Sequence, residues 1–231
     1  MKIAFQHTAI GYKAPCIQNV NFEIESPALI GLVGDNGVGK STLLRTFCGL
    51  VPALSGEITI NGTAISKVDM NTLSRHITFL PNSKSFYLNL TVQELLSLSA
   101  DMHSLFRVDA KILGDYVLEL IALFGIQDLL QRKLVSLSDG QYQLVSIVFA
   151  LSRQTEIVLL DEPLAFLDYS NRKRFMEIFA ALVHKENRLV VFSSHDLAVL
   201  NKCNQLWYID TNSIKVIEEQ VITKFCEQLM V

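Results

Sequence analysis

No stretch of this 231-residue sequence reaches the ~18 uninterrupted apolar residues that a membrane-spanning helix needs. The chain is therefore not expected to cross a bilayer, although 50% of its residues are hydrophobic and its mean hydropathy is +0.31. It also lacks a basic excess: 20 Lys and Arg stand against 23 Asp and Glu, which disfavours nucleic acid as a partner held by a general cationic surface. Its four cysteines, Cys16, Cys48, Cys203 and Cys226, include no CxxC pair, so free thiols are expected, with neither a disulfide nor a structural zinc. Near Met1 there is no apolar h-region or small-residue cleavage site, and the expected place is the cytoplasm. Repeats, low-complexity tracts and Pro/Gly/Ser-rich linkers are missing too, leaving one large domain, or a core with an inserted subdomain. High hydropathy without a span calls for many core-buried strands or for a surface that docks on something apolar.

What is present divides by periodicity. Short alternating or β-branched runs at Lys2–Phe5, Cys16–Ile24, Ala28–Val33 and Glu57–Ile60, followed by an Asn61-Gly62 turn, make a β-rich opening. From about Thr91 to Leu151 the apolar residues recur at helical spacing, through Val92, Leu95, Leu96, Ile112, Val117, Leu120, Leu144, Ile147, Val148 and Leu151. This segment reads as a helical insertion. Two continuous apolar runs, Ile157–Leu160 and Leu189–Phe192, flank an amphipathic stretch from Arg172 to Val183, the pattern of buried parallel strands joined by a crossover helix. The core is expected to be α/β.

Between the run ending at Val33 and a helical run through Leu43, Leu44 and Phe47 lies Gly34-Asp35-Asn36-Gly37-Val38-Gly39-Lys40-Ser41-Thr42, which satisfies GxxxxGK[ST]. Its glycines let successive N–H groups turn inward around a polyphosphate. Lys40 would add a charge on the terminal phosphates, Ser41 a hydroxyl to Mg²⁺, and the following helix the positive end of its dipole. Nucleotide binding follows.

Downstream, Ile157-Val158-Leu159-Leu160 leads into Asp161-Glu162-Pro163, which places two acids at the C-terminal end of a buried strand, where open α/β sheets form their ligand crevice. Asp161 suits Mg²⁺ held through its hydration shell, and Glu162 suits orientation and deprotonation of an attacking water. His195 occupies the equivalent place after the next run and could bond a γ-phosphate or position that water; Asp196 reads as a helix N-cap. Ser138-Asp139-Gly140-Gln141 has the spacing of a capping box before a further apolar-periodic helix. Gly140 inside that first turn costs helix stability but lets another body approach the N–H groups, so this helix end could take a phosphate as well.

These segments together resemble the ATP-binding cassette family, the ATPase subunits of ABC transporters, over essentially the whole chain. GDNGVGKST resembles the family's Walker A, LSDGQ its signature LSGGQ and LLDEP its Walker B. Leu164 to Asp168 resembles the D-loop, His195 the H-loop, and Tyr12 matches the position that stacks on adenine. The resemblance implies a P-loop NTPase core with an antiparallel β subdomain and a helical subdomain, about residues 83–150, inserted within a single domain spanning 1–231. It implies two cassettes, likened to a homodimer, facing head to tail with each ATP between the Walker A of one and the Ser138–Gln141 segment of the other, and Asp168 crossing the interface. ATP closes such a pair and hydrolysis reopens it. Transmembrane permease subunits docking on the helical insertion, a substrate-binding protein, and a place on the cytoplasmic face of the membrane follow from the same likeness. The whole cassette is most similar to importers of iron-siderophores, haem or cobalamin; exporters and non-transport cassettes of nucleic-acid, ribosome or iron–sulfur work are the rival readings.

Two positions depart from the family pattern. Asn82 stands where the Q-loop has Gln, its amide shorter by one bond of about 1.5 Å, which puts direct reach to Mg²⁺ in question. Asp139 replaces the first Gly of the signature; an acid suits the helix dipole but opposes an approaching polyphosphate. Active but slowed hydrolysis is expected.

Overall fold

The apolar runs without polar alternation are central strands buried on both faces. The computed structural model describes residues 1–83, 89–101 and 113–229; the expected helical position Ile112 lies outside them. A six-stranded sheet runs in the order β10 (Ser213–Glu218), β9 (Gln205–Asp210), β3 (Ala28–Val33), β8 (Leu189–Ser193), β7 (Ile157–Leu160), β6 (Ile77–Leu80). All neighbours are parallel except the β9–β10 hairpin at the edge. Alternate residues of each central strand serve two different cores. Ile30, Leu32, Ile157, Leu159, Leu189 and Val191 face one. Val158, Leu160, Val190 and Phe192 face the other.

The first core is closed by an antiparallel sheet, β2 (Pro15–Glu25), β1 (Lys2–Gly11), β4 (Ser55–Ile60), β5 (Thr63–Ala64), with helix α1 (Lys40–Phe47) against it. Phe47 of α1 meets Phe5 edge-on at 5.3 Å between ring centroids, and Trp207 of β9 meets Phe5 at 5.9 Å. The helix that follows the phosphate loop is thus anchored by its far end in an aromatic cluster, each ring of which buries enough apolar area to contribute several kcal/mol.

The second core lies under α3 (Val92–Asp101), α4 (Asp115–Phe124), α5 (Asp139–Ser152) and α6 (Tyr169–Glu186). A buried polar cluster fastens α4 to the end of α6. Arg188 Nε pairs with Glu186 at 2.8 Å, its Nη1 donates to the Leu151 carbonyl, its Nη2 donates to the Tyr116 hydroxyl, and that hydroxyl donates to Glu186 at 3.0 Å. Burial pushes the Tyr116 phenol well above its ordinary pKa and keeps it a donor.

The predicted strands at 28–33 and 157–160 coincide with β3 and β7, and the run from Cys16 broadens to the whole of β2. The crossover helix is longer than its amphipathic centre, because Asp168 caps it and Asn187, in a left-handed conformation, ends it. Helices α2 (Met70–His76) and α7 (Ile222–Leu229), with β9 and β10, are elements that the periodicity left unassigned. The free cysteines Cys48, Cys203 and Cys226 are buried and Cys16 half-buried.

Candidate nucleotide site

Strands β3, β6, β7 and β8 run parallel and end at one edge of the sheet, so the segments that leave them gather there. A cleft of about 220 Å³ at that edge is lined by Lys40, Ser41, Asn82, Asp161, Glu162 and His195, together with Asn36, Gly37, Gly39 and Thr42. It is smaller than the ~300–1,000 Å³ of a cleft that encloses a whole drug-sized ligand, and polar, so it fits a phosphate tail and leaves a base outside.

The phosphate loop leaves β3 and enters α1 through Gly39 at φ 117°. A side chain there would be strained, and its Cβ would lie 2.8 Å from Cys16 Sγ. Lys40 is buried beneath the loop, where its ammonium donates to the carbonyls of Gly34 at 2.7 Å and Asp35 at 3.0 Å. Burial lowers its pKa, and the carboxylates Glu162, Asp161 and Asp35 oppose that shift. Val38 donates its N–H back to Asp35, closing the turn. Asp35 and Asn36 also line an adjoining depression with His195, Tyr208 and Leu229.

Asp161, 4% exposed, accepts from the Ser193 hydroxyl at 2.8 Å, and its own N–H donates to the Leu80 carbonyl. The same Ser193 oxygen accepts from the Glu162 N–H at 2.8 Å. One fully buried hydroxyl at the end of β8 therefore fixes both acids at the end of β7. Glu162 adopts φ 51°, a left-handed backbone that costs a non-glycine residue of order 1–3 kcal/mol and is held by this lattice of bonds. Its carboxylate, with the side chain 14% exposed, lies 2.7 Å from His195 Nε2. Burial raises the Glu162 pKa, Asp161 adds to the rise, and His195 and Lys40 work against it. A carboxyl whose pKa is raised, beside an imidazole, is better suited to accept a proton than an ordinary carboxylate.

Around His195 the loop is braced by Asp196, which caps the following 3₁₀ turn through the Ala198 N–H and pairs with Arg172 of α6 at 2.9 Å. Arg172 also donates to the Leu167 carbonyl in the loop after Glu162. Ser193 and Arg172 are site-building residues that the sequence did not reveal as such. Ser193 stands at the close of an apolar run, where its only trace is a polar residue at a strand end.

Tyr12, Ser138, Asp139, Gly140, Gln141 and Asp168 lie outside this cleft within the single chain. Ser138 and Gln141 form the expected reciprocal capping box of α5. Asp168 accepts from the Asn171 N–H as the N-cap of α6, which begins at Tyr169. Gly140 is explained within the chain: a Cβ there would lie 3.1 Å from the Phe166 carbonyl, so the loop leading to Asp168 rests directly on the first turn of α5. Tyr12 follows β1 and is 60% exposed.

The family model described as ABC transporter matches residues 17–165. An uncharacterised ABC transporter ATP-binding protein of Haemophilus influenzae is 33% identical over 199 residues, covering 85% of this chain and 75% of that protein. The petrobactin import ATP-binding protein of Bacillus anthracis is 32% identical over 78% of this chain and 67% of its own length. A cobalamin import ATP-binding protein of Halobacterium salinarum is also 32% identical, over 82% of this chain, which spans about half, 48%, of that protein. Among solved structures, a dimeric post-hydrolysis state of an ATP-binding cassette bound to ADP and Pi matches with a TM-score of 0.83 over 95% of this chain and 99% of that one, at 22% identity, a likeness of fold. With the family model covering well over half of the sequence and a relative sharing a third of its residues over most of it, the chain belongs to the ABC transporter family, as an ATP-binding subunit.

Proposed function

We propose that this ATPase subunit powers import of a small chelate, of the iron-siderophore, haem or cobalamin kind, through a membrane permease, working as a pair of cassettes. The observation that carries the catalytic part is the convergence of Lys40, Glu162 and His195 on one polar cleft, with Glu162 raised in pKa and 2.7 Å from the imidazole. Loop N–H groups from Gly34 to Thr42 and the Lys40 ammonium would bind the phosphates, Tyr12 would carry the adenine, and Glu162 would take a proton from water oriented with His195. Ser138 to Gln141 would meet the nucleotide of the second copy, with Asp168 at the interface.

The donor set fits Mg²⁺. Among the described residues no group of three or more His, Cys, Asp and Glu gathers as a metal cage. Ser41 and Asp161 instead offer one hydroxyl and one carboxylate, as this ion requires when phosphates and water complete its shell. Asn82 lines the same cleft and would reach the ion through a water. Bound Mg²⁺ supplies neutralisation of charge on the terminal phosphates.

Permease docking is supported by an apolar groove of about 290 Å³ between the core and α5, lined by Cys48, Leu50, Met70, Phe79, Pro81 and Phe149. Leu50 and Met70 are about half exposed at its rim. No helix among the described residues is long and apolar enough to cross a membrane, which fits a subunit held peripherally at the cytoplasmic face. The import reading draws on the petrobactin and cobalamin relatives.

Purification from native membranes, with identification of the co-purifying proteins, tests this reading. Recovery of a membrane-spanning permease and a substrate-binding protein, with ATPase activity that Glu162→Gln abolishes, is expected. A wholly soluble complex would instead indicate a non-transport cassette.

A further inference from the structure

We infer that Arg45 is a positioning residue for the base: it ties the Tyr12 ring to the helix that carries the phosphate loop, setting the spacing between the two ends of the nucleotide site. The inference rests on Tyr12 being the adenine platform. Tyr12 sits in the turn between β1 and β2, just beyond Gly11, with 60% of its surface exposed. An exposed tyrosine on a turn is free to leave the orientation that stacking needs, and stacking alone is a weak contact that does not recover that lost freedom. Arg45 Nη1 donates to the Tyr12 hydroxyl at 3.2 Å.

Arg45 belongs to α1, five residues beyond Lys40, or about 7.5 Å along the helix axis. The donor is therefore part of the same rigid body as Lys40, Ser41 and Thr42, whose far end Phe47 locks into the aromatic core. Tyr12 comes from the antiparallel sheet, a separate layer. A bond between these layers fixes ring against phosphate loop. It acts on the base end of the ligand, because Arg45 reaches the phenol hydroxyl and is absent from the phosphate cleft lining.

Equilibrium binding of ATP and of inorganic tripolyphosphate to the full chain, wild type and variants, tests the inference. A hydrogen bond with a charged donor at a half-exposed site leads us to expect Arg45→Ala and Tyr12→Phe each to weaken ATP about fivefold. The double variant should be no weaker than either single one, Arg45→Lys should recover part of the loss, and tripolyphosphate affinity should stay unchanged throughout. Unchanged ATP affinity in Arg45→Ala would overturn the inference. So would an equal loss for tripolyphosphate, which would put Arg45 at the phosphate end, or additive effects in the double variant. Tyr12→Ala separates the two levels. If it weakens ATP while Arg45→Ala does not, the platform stands and its tether falls; if Tyr12→Ala leaves ATP binding intact, the platform itself falls.

Discussion

Ser193 holds Asp161 and the backbone of Glu162 at the same time, 2.8 Å from each, through a single hydroxyl that donates to the first and accepts from the second. The two acids at the end of β7 have different environments as a result. Asp161 accepts the buried Ser193 hydroxyl, whereas Glu162 is turned by a left-handed backbone toward His195 with its pKa raised. Neighbouring carboxyl groups in such different settings suit the division between metal binding and proton transfer proposed for them.

Replacing Ser193 by Ala should leave a buried Asp161 oxygen and a buried Glu162 N–H without their partner. Each orphaned group costs ~1–3 kcal/mol, and a carboxylate more. Ser193→Ala is expected to lower the midpoint of urea unfolding and to reduce kcat, whereas Ser193→Thr, which keeps the hydroxyl, should retain most of both if the extra methyl is accommodated. A Ser193→Ala protein with full activity would show that the geometry of the acid pair is set elsewhere.

Glu162→Gln should abolish turnover, a loss of about 10²–10⁴-fold for removal of a general base. In the proposed cycle hydrolysis reopens the closed pair, so the variant should accumulate as an ATP-stabilised dimer on size-exclusion chromatography. Its stability should move the other way. Burial raises the folded-state pKa of Glu162 above the ordinary 4.5, so the protonated carboxyl supports folding below 4.5 and that support is lost as pH rises through the folded-state value. The amide is neutral at every pH. Thermal unfolding without nucleotide should give Glu162→Gln the higher Tm at neutral pH, with the difference closing as pH falls toward 4.5; a difference that widens on acidification would reverse the assigned sign.

Much of this cleft was legible because its chemistry depends on residue types at fixed local spacing. The phosphate loop is one uninterrupted segment, the pair Asp161-Glu162 follows directly on one apolar run, and His195 stands just past a second, beyond Ser193-Ser194. Ser193, Arg172 and Arg45 were not legible, since each acts through a partner distant in sequence: Ser193 on Asp161, Arg172 on Asp196, Arg45 on Tyr12. The edge hairpin carried a signal of its own: Ile214 and Val216 alternate with Ser213 and Lys215 just beyond Thr211-Asn212, and pairing with β9 completes the strand. Helix α2 is held by an Asp69 cap on Thr72 and a single fully buried residue, Leu73, too little for periodicity to reveal.

The cluster beside α4 should be costly to break. Arg188 is 5% exposed and holds Glu186, the Tyr116 hydroxyl and the Leu151 carbonyl. Arg188→Ala would strand the Glu186 carboxylate in a buried setting, a change that costs about 3–5 kcal/mol. Denaturant unfolding should show that loss. The double variant Arg188→Met with Glu186→Gln should recover part of it, because the unpaired charge is then gone.

Asp139 offers the sharpest test of how the signature segment works. It lies in the first turn of α5, at the helix end that the family resemblance sets against the second copy's nucleotide. Its charge favours the isolated helix through the dipole, by ~0.3–1 kcal/mol, and glycine in its place loses a further ~0.5 kcal/mol or so of helix propensity. Asp139→Gly is therefore expected to unfold at a lower denaturant concentration. The same change removes an anion from the face proposed to meet a triphosphate, so ATP-induced dimerisation should become tighter and, if closure limits turnover, ATPase activity faster. Asp139→Asn separates the contributions, since it removes the charge without introducing glycine, and it should show most of the gain in dimerisation at a smaller loss of stability. Light scattering at graded ATP concentrations reads the first effect and urea unfolding the second. Weaker dimerisation in both variants would mean that the carboxylate at 139 contributes favourably to the closed pair.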